Sequence, residues 1–399
     1  MLCYALSAMP PLANLMTLSA NEMATLAVKF GWPRYRTHQV LRWLYQRRVT
    51  DVDAMTDLSK ADRARLAEQA HVVALTPASV RTSADGTQKF IFRLDDGKEI
   101  ESVAIPDGGS GRGAFGGAPS RSNDRVTLCL STQVGCTFDC AFCLTGRMGL
   151  QRNLKPHEIV GQVLAVQGEL PGDRPLTNLV LMGMGEPLAN VDAVEEAVRR
   201  LTDRTWGVGF PARRITLSTA GLAPRLRRVV EMGVNLAVSL NATTNSQRDR
   251  LMPMVNSTYP LETLVKACRA FPLKPRGRLT FEYVLIGHEN DTTQDAARLV
   301  KLVHGIRCKI NLIPINEFPE SPFRRPSDGA VLRFQAVLTR AGLDTFIRKS
   351  KGADILGACG QLGTISPAFS LINPVRSGPV RSAGVSTHGA ATHHRWASC

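Results

Sequence analysis

Two rhythms of apolar residues alternate along most of the chain. Between residues 125 and 341, short apolar runs alternate with longer segments whose apolar positions recur every three or four residues. The runs predict strands at 126–130, 178–182, 214–218, 235–240, 279–285 and 309–313. The amphipathic segments predict helices at 156–170, 191–202, 224–232, 261–271, 292–303 and 328–341. Pro156 suits a first helical position, and Asn190 suits an N-cap. Six strand–helix units in series predict an α/β fold with a parallel sheet, either open and doubly wound or a partial barrel. In both, chemistry gathers at the C-terminal strand ends.

Upstream the pattern changes. Residues 1–20 read as a loose leader, and 21–75 as a small helical domain, with Asn21 as a cap and a second helix over 37–48. Residues 76–106 contain a β-hairpin: Phe90, Phe92 and Leu94 alternate inward, Asp95-Asp96-Gly97 supplies the turn, and 98–105 returns. Residues 107–124 include six glycines and no periodicity, so a flexible insertion is expected. The core is expected over 125–363, followed by a disordered basic tail over 364–399 that holds three histidines, Cys399 and no carboxylate.

The chain has 399 residues, 44% of them hydrophobic, enough for one large domain and a smaller one. No apolar run approaches the ~18 residues of a membrane span, so no membrane partner is expected. A formal charge of +15 points to a polyanionic partner. Basic and aromatic residues mix in Tyr35, Arg36, Arg42, Trp43, Tyr45, Arg47 and Arg48, an RNA-facing pattern or simply a solvated basic helix. Further phosphate contacts are expected from Arg199, Arg200, Arg204, Arg213 and Arg214 and from Arg348–Lys351. Nine cysteines are too sparse for a disulfide scaffold, and no basic residue precedes Lys29, so a reducing cytoplasm is the expected compartment. No heptad pattern is visible, so a monomer is expected.

The strongest chemical signal is Cys136-Thr-Phe-Asp-Cys140-Ala-Phe-Cys143, just past the first core strand. A structural zinc would need a fourth ligand, and no nearby Cys or His pair offers one. Three thiolates on a four-iron cluster leave one iron open to a ligand. The spacing resembles the radical S-adenosylmethionine (SAM) superfamily, in which the open iron chelates SAM. Gly183-Met184-Gly185-Glu186-Pro187 follows the second strand and is similar to the superfamily's segment for the SAM amino group. Ser218, Ser239-Leu240-Asn241 and Asn316 stand at the ends of the third, fourth and sixth strands, where cofactor contacts are expected. The expected fold is therefore a partial (β/α)6 radical SAM barrel with a small N-terminal helical domain and a β-hairpin extension.

From about residue 18 to 362 the chain resembles the bacterial dual-specificity RNA adenine-C2 methyltransferases. The likeness includes Arg34-Tyr35-Arg36, Met55-Thr56-Asp57-Leu58, Glu101-Ser102-Val103, the cysteine triad and Gly357-Ala358-Cys359-Gly360-Gln361. Asn241 stands where many relatives carry histidine. The resemblance implies 23S ribosomal RNA and tRNA as substrates, a [4Fe-4S] cluster on Cys136, Cys140 and Cys143, two SAM per turnover and a flavodoxin-like electron donor. It implies that Cys359 carries the methyl group as S-methylcysteine and is joined transiently to RNA. It makes Glu101 the acceptor of the C2 proton and Cys129 the thiol that releases RNA through a transient disulfide with Cys359. On the residues alone Glu101 reads as one exposed glutamate at the hairpin edge. Three alternatives stay open: the sibling C8 methyltransferases, another radical SAM class, and an RNA-binding protein with a structural zinc.

Overall fold

A computed structural model describes residues 12–106, 125–172 and 175–363. The first eleven residues of the expected leader, the Gly-rich insertion and the basic tail lie outside the described residues. Residues 12–19, read as the end of the leader, are part of the fold: Leu15 and Met16 are buried, and Ala13–Asn14 pairs in parallel with Ala70–His71. Ser19, not Asn21, caps α1 (Ala20–Lys29), and Glu22 closes a reciprocal capping box with it. α2 (Tyr35–Tyr45) and α3 (Lys60–Ala67) complete the N-terminal helices.

Ten strands then form one sheet in sequential order. They are β1 (Pro77–Thr82), β2 (Gln88–Arg93), β3 (Glu99–Pro106), β4 (Val126–Cys129) and β5 (Leu176–Leu181). β6 (Ile215–Thr219), β7 (Asn235–Ser239), β8 (Leu279–Leu285), β9 (Cys308–Pro314) and β10 (Asp344–Ile347) follow. β1 to β4 pair antiparallel and β4 to β10 parallel, and β1 and β10 are the two edges of the ladder. The partial barrel is therefore continuous with the hairpin, which is its antiparallel edge rather than an appendage.

The six expected core strands are present, as is the hairpin turn, where Leu94 N–H donates to Lys98 O at 2.8 Å. Two edge strands escape the sequence pattern. β1 is almost wholly exposed and β10 is half-buried, so neither needs an apolar run or a strict alternation.

The remaining helices are α4 (Leu144–Arg147), α5 (Pro156–Glu169), α6 (Val191–Thr202), α7 (Leu226–Met232), α8 (Asn245–Leu251), α9 (Pro253–Thr258), α10 (Leu261–Arg269), α11 (Thr293–Val303) and α12 (Asp328–Arg340). Pro156 is the first residue of α5, as expected. Asn190 sits at the N-cap of α6, yet its amide turns away and donates to Thr132 O and Leu154 O at 2.9 and 2.8 Å. It ties loops instead of capping a helix. No helix of the described residues is long and apolar enough to cross a membrane.

The N-terminal helices are fixed to the barrel by Arg200, read from the sequence as a phosphate contact. Arg200 is 2% exposed. Its Nη1 donates to Met16 O at 3.0 Å and Tyr45 Oη at 3.1 Å, and its Nε pairs with Glu196 at 2.7 Å. Arg204, Arg213 and Arg214 do stay exposed. Replacing Arg200 by methionine leaves three acceptors without their donor. The expected cost is about 3–5 kcal/mol of stability, read by chemical denaturation.

Candidate active site

β4 runs into Leu130–Thr132 and a short strand, Gln133–Gly135, paired antiparallel with Leu150–Asn153. The loop between them holds Cys136, Cys140 and Cys143 and ends in α4. Gly135 has a positive φ of 75°, and a Cβ there would lie 1.8 Å from Gly149 O, so only glycine lets the two segments cross. Gln133 organises the loop. Its Oε1 accepts from Thr137 N at 3.1 Å and Glu186 N at 2.9 Å, while its Nε2 donates to Thr137 Oγ1 and Asn153 Oδ1 at 2.7 and 2.8 Å.

The three thiols line a cleft of about 1010 Å³, open mouth included, together with Gly185, Glu186, Ser218, Ser239, Asn241, Asn316 and Cys359. Leu240 is fully buried and does not line it, so its place is structural: its N–H donates to Glu282 O at 3.0 Å. Glu186 is buried, and both its oxygens accept backbone N–H groups, Oε1 from Leu188 at 3.0 Å and Oε2 from Ala220 at 2.7 Å. Burial nevertheless raises its carboxyl to about 7. Asn241, at φ +57°, spends its amide on Val284 N–H and Met252 Sδ.

Glu282 and Arg348 line the same cleft, and neither was a site candidate there from sequence. Glu282 accepts from Asn311 Nδ2 at 2.9 Å through Oε1, whereas its buried Oε2 has no hydrogen-bond partner. Arg348 was expected on an RNA surface and instead faces the cleft.

Cys359 is exposed, on a loop held by Asn316, whose Nδ2 donates to Cys359 O at 3.0 Å, and by Leu144 N–H, which donates to Gly360 O at 2.8 Å. Cys129 is buried at the end of β4, and the described cysteines are free thiols. Burial, and then the neighbouring Cys359 charge, pushes the Cys129 thiol up to about 12. Glu101 corrects the sequence reading, since it is 5% exposed and not a surface glutamate. Its Oε1 meets Lys89 Nζ at 3.1 Å, and its Oε2 accepts from Gly363 N at 2.9 Å.

Do these residues fit a cluster and a polar cofactor? Burial raises all three triad thiols, Cys136 to about 12 and Cys140 well above its ordinary value. Such thiols become thiolates only on a metal. The triad supplies three ligands and leaves a fourth position open, which suits a four-iron cluster with a further ligand better than a closed structural zinc. The orphaned Glu282 Oε2 calls for a polar hydrogen-bond partner within the cleft. The site fits an iron–sulfur cluster with a polar ligand beside it.

Comparison with known proteins agrees. The ribosomal RNA large subunit methyltransferase N-terminal domain family matches residues 13–72, and the radical SAM superfamily matches residues 130–300. Dual-specificity RNA methyltransferase RlmN of Syntrophotalea carbinolica is 48% identical over 358 residues, 89% of this chain and 91% of that protein. The protein of the same name from Desulfosudis oleivorans is 49% identical, covering 82% and 84%. The chain belongs to the dual-specificity RNA methyltransferase family. A crystal structure of a radical SAM methyltransferase from Sphaerobacter thermophilus superposes with a TM-score of 0.78 at 42% identity, over 88% of this chain and 99% of that one. Membership makes the protein a radical SAM RNA methyltransferase and implies SAM and a [4Fe-4S] cluster.

In this methyltransferase the Glu186 carboxyl ordinarily titrates at 4.5 and is raised to about 7 by folding. The stability this neutral group contributes is full below the lower value and is lost as pH rises through the higher one. Wild-type stability is expected to fall between pH 5 and 8 by on the order of 1–3 kcal/mol from this group. Glu186→Gln should flatten that fall in denaturant titrations across the same range.

Proposed function

We propose that this enzyme methylates C2 of an adenine in 23S ribosomal RNA and in tRNA, with Cys359 as the methyl carrier. The observation that carries the reading is the exposed Cys359 thiol on the same cleft as the Cys136, Cys140 and Cys143 triad. When bound, a [4Fe-4S] cluster and two SAM per turnover supply a methyl group and a one-electron cleavage to an organic radical, with a flavodoxin-like protein as electron donor.

C2 of adenine is an electron-poor carbon and a poor nucleophile toward a methyl sulfonium. A carrier that first takes the methyl group on sulfur avoids that difficulty. Cys359 suits the task, because its thiol is exposed and already lines the cleft that holds the triad. Cys136, Cys140 and Cys143 hold the cluster, and Gly185, Glu186, Ser218, Ser239, Asn241 and Asn316 border the space left for SAM. Of these, Glu186 offers an anionic oxygen to an ammonium, and Gly185, with φ +99° and no side chain, allows a close approach. Leu240 contributes through its backbone or not at all. Glu101 accepts the C2 proton while Cys359 is joined to C2 through one carbon. Cys129 attacks the Cys359 sulfur and releases the RNA, leaving a disulfide that is later reduced by exchange. Burial and the nearby Cys359 hold its thiol up at about 12, so it gives up its proton as it attacks.

Exposed Arg42, Arg47 and Arg48 beside α2, with Arg204, Arg213 and Arg214 on the barrel, supply phosphate contacts for a looped or unstacked target. The enzyme acts as a cytoplasmic monomer in this reading.

The first test is iron and sulfide content with nucleoside mass spectrometry of RNA treated by the anaerobically purified protein. About four irons and four sulfides per chain and 2-methyladenosine are expected. Zinc without iron, or 8-methyladenosine alone, defeats the proposal. Cys359→Ala should abolish methyl transfer and keep the cluster. Cys129→Ala should accumulate an RNA–protein adduct, visible as a band shift that nuclease removes. Free methylated RNA from Cys129→Ala at the wild-type rate contradicts the release step.

A further inference from the structure

The catalytic loop and the proton acceptor are joined through one buried cation. Lys89, on β2, is 2% exposed, and its Nζ donates both to Glu101 Oε1 at 3.1 Å and to Leu356 O at 3.3 Å. Glu101 sits across the ladder on β3, with its other oxygen taken by Gly363 N–H. Leu356 and Gly363 bracket Cys359. The same hairpin grips the start of the loop. Asp354 accepts from Ser83 Oγ at 2.6 Å and Ala84 N at 3.2 Å, and Asp85 accepts from Gly352 N at 3.0 Å. Residues 352–363 are therefore clasped along the β1–β2 turn and the adjoining strands. Leu356 holds the left-handed conformation, φ +53°, which a leucine adopts only under constraint.

We propose that Lys89 is a positioning residue that keeps Glu101 ionised and pins the Cys359 loop beside it, so that base and methyl carrier are set together. The proposal rests on Glu101 being the proton acceptor. A carboxylate this buried takes up a proton unless a cation and hydrogen bonds compensate its charge. A protonated Glu101 cannot accept the C2 proton. Lys89 supplies the compensation, and a second of its three donors reaches the loop backbone, so the loop's place and the charge state of Glu101 depend on the same ammonium. A carboxylate oxygen has two lone pairs, so Glu101 can hold these donors and still receive a proton.

The charged groups around the junction leave this role to Lys89. Asp85 on the hairpin turn, Asp354 and Cys359 on the loop, and Cys129 on β4 opposite Val103 are all acids. Arg348, past the end of β10, is a second cation, and its charge acts on Cys359, Glu282 and Cys129.

The test compares wild type, Lys89→Met, Lys89→Arg and Glu101→Gln as full-length, anaerobically reconstituted enzymes. Single-turnover methyl transfer is followed against pH, and amide hydrogen exchange is followed over residues 352–363. Losing the cation favours the neutral carboxyl. Lys89→Met is thus expected to move the acid limb of the profile up by about one unit or more, a loss of roughly tenfold at pH values on that limb that higher pH restores. Lys89→Arg keeps the limb near wild type. Exchange of the loop amides, Gly363 included, is expected to quicken roughly tenfold in Lys89→Met. A merely structural lysine would lower the unfolding midpoint without moving the limb. If Lys89→Met does not fold, Lys89→Gln makes the same comparison. An unshifted limb in a folded variant overturns the ionisation half of the proposal, and unchanged loop exchange overturns the other half. Wild-type activity in Glu101→Gln overturns the proton-acceptor reading itself, a result separate from either.

Discussion

The mouth of the barrel is held together by the side-chain amide of Gln133, buried completely between the cysteine loop and the Gly-rich turn after β5. One planar group donates to Thr137 and Asn153 and accepts from Thr137 and Glu186, so all of its hydrogen-bonding capacity is used locally. It fits only because Gly185 has no side chain: a Cβ there would stand 2.5 Å from Gln133 Cβ. A buried amide satisfied on every side allows one arrangement of the segments it joins, since any slip leaves polar atoms without partners. The spacing between the triad and the carboxylate of Glu186 follows from that single contact.

The two sides of the cleft are built differently. The triad and the strand ends rest on a rigid scaffold of parallel ladders and buried amides. Cys359 rests on a loop whose hold is a set of polar ties, from the hairpin on one side and from Asn316 and Thr145 on the other. Few apolar groups are buried there, so the loop opens at a small fraction of the cost of unfolding the barrel. In the proposed reaction Cys359 meets a methyl donor, a nucleobase and a second thiol in turn, and that reading needs such freedom. A radical-generating centre needs the opposite.

Burial sets the electrostatics. Glu186 and Glu282 both face the cleft, and burial raises both carboxyls above their ordinary value. Around Glu101 the fold places a lysine instead. Arg200 plays the corresponding part on the outside of the barrel, where a buried guanidinium fixes the N-terminal helices to α6 and thereby orients their exposed arginines relative to the cleft.

The sequence by itself determined the alternation of core strands and helices, the hairpin, and the three clustered thiols with the Gly-rich turn after them. These are local signals: a side-chain period, a turn dipeptide, ligands a few residues apart. Cys359 and Glu101 were legible only through family resemblance, because nothing beside a lone cysteine or glutamate marks its partners. The tertiary structure alone decided that Glu101 is buried against Lys89, that Gln133 ties the cysteine loop to the Gly-rich turn, that Arg200 faces inward, and that Leu240 is core. It also decided that Asn190 joins loops and that β1 and β10 extend the sheet. Each of these rests on which distant backbone groups the folded chain leaves in need of a donor or an acceptor. Glu101 and Gly363, 262 residues apart, meet only once every strand between them is paired.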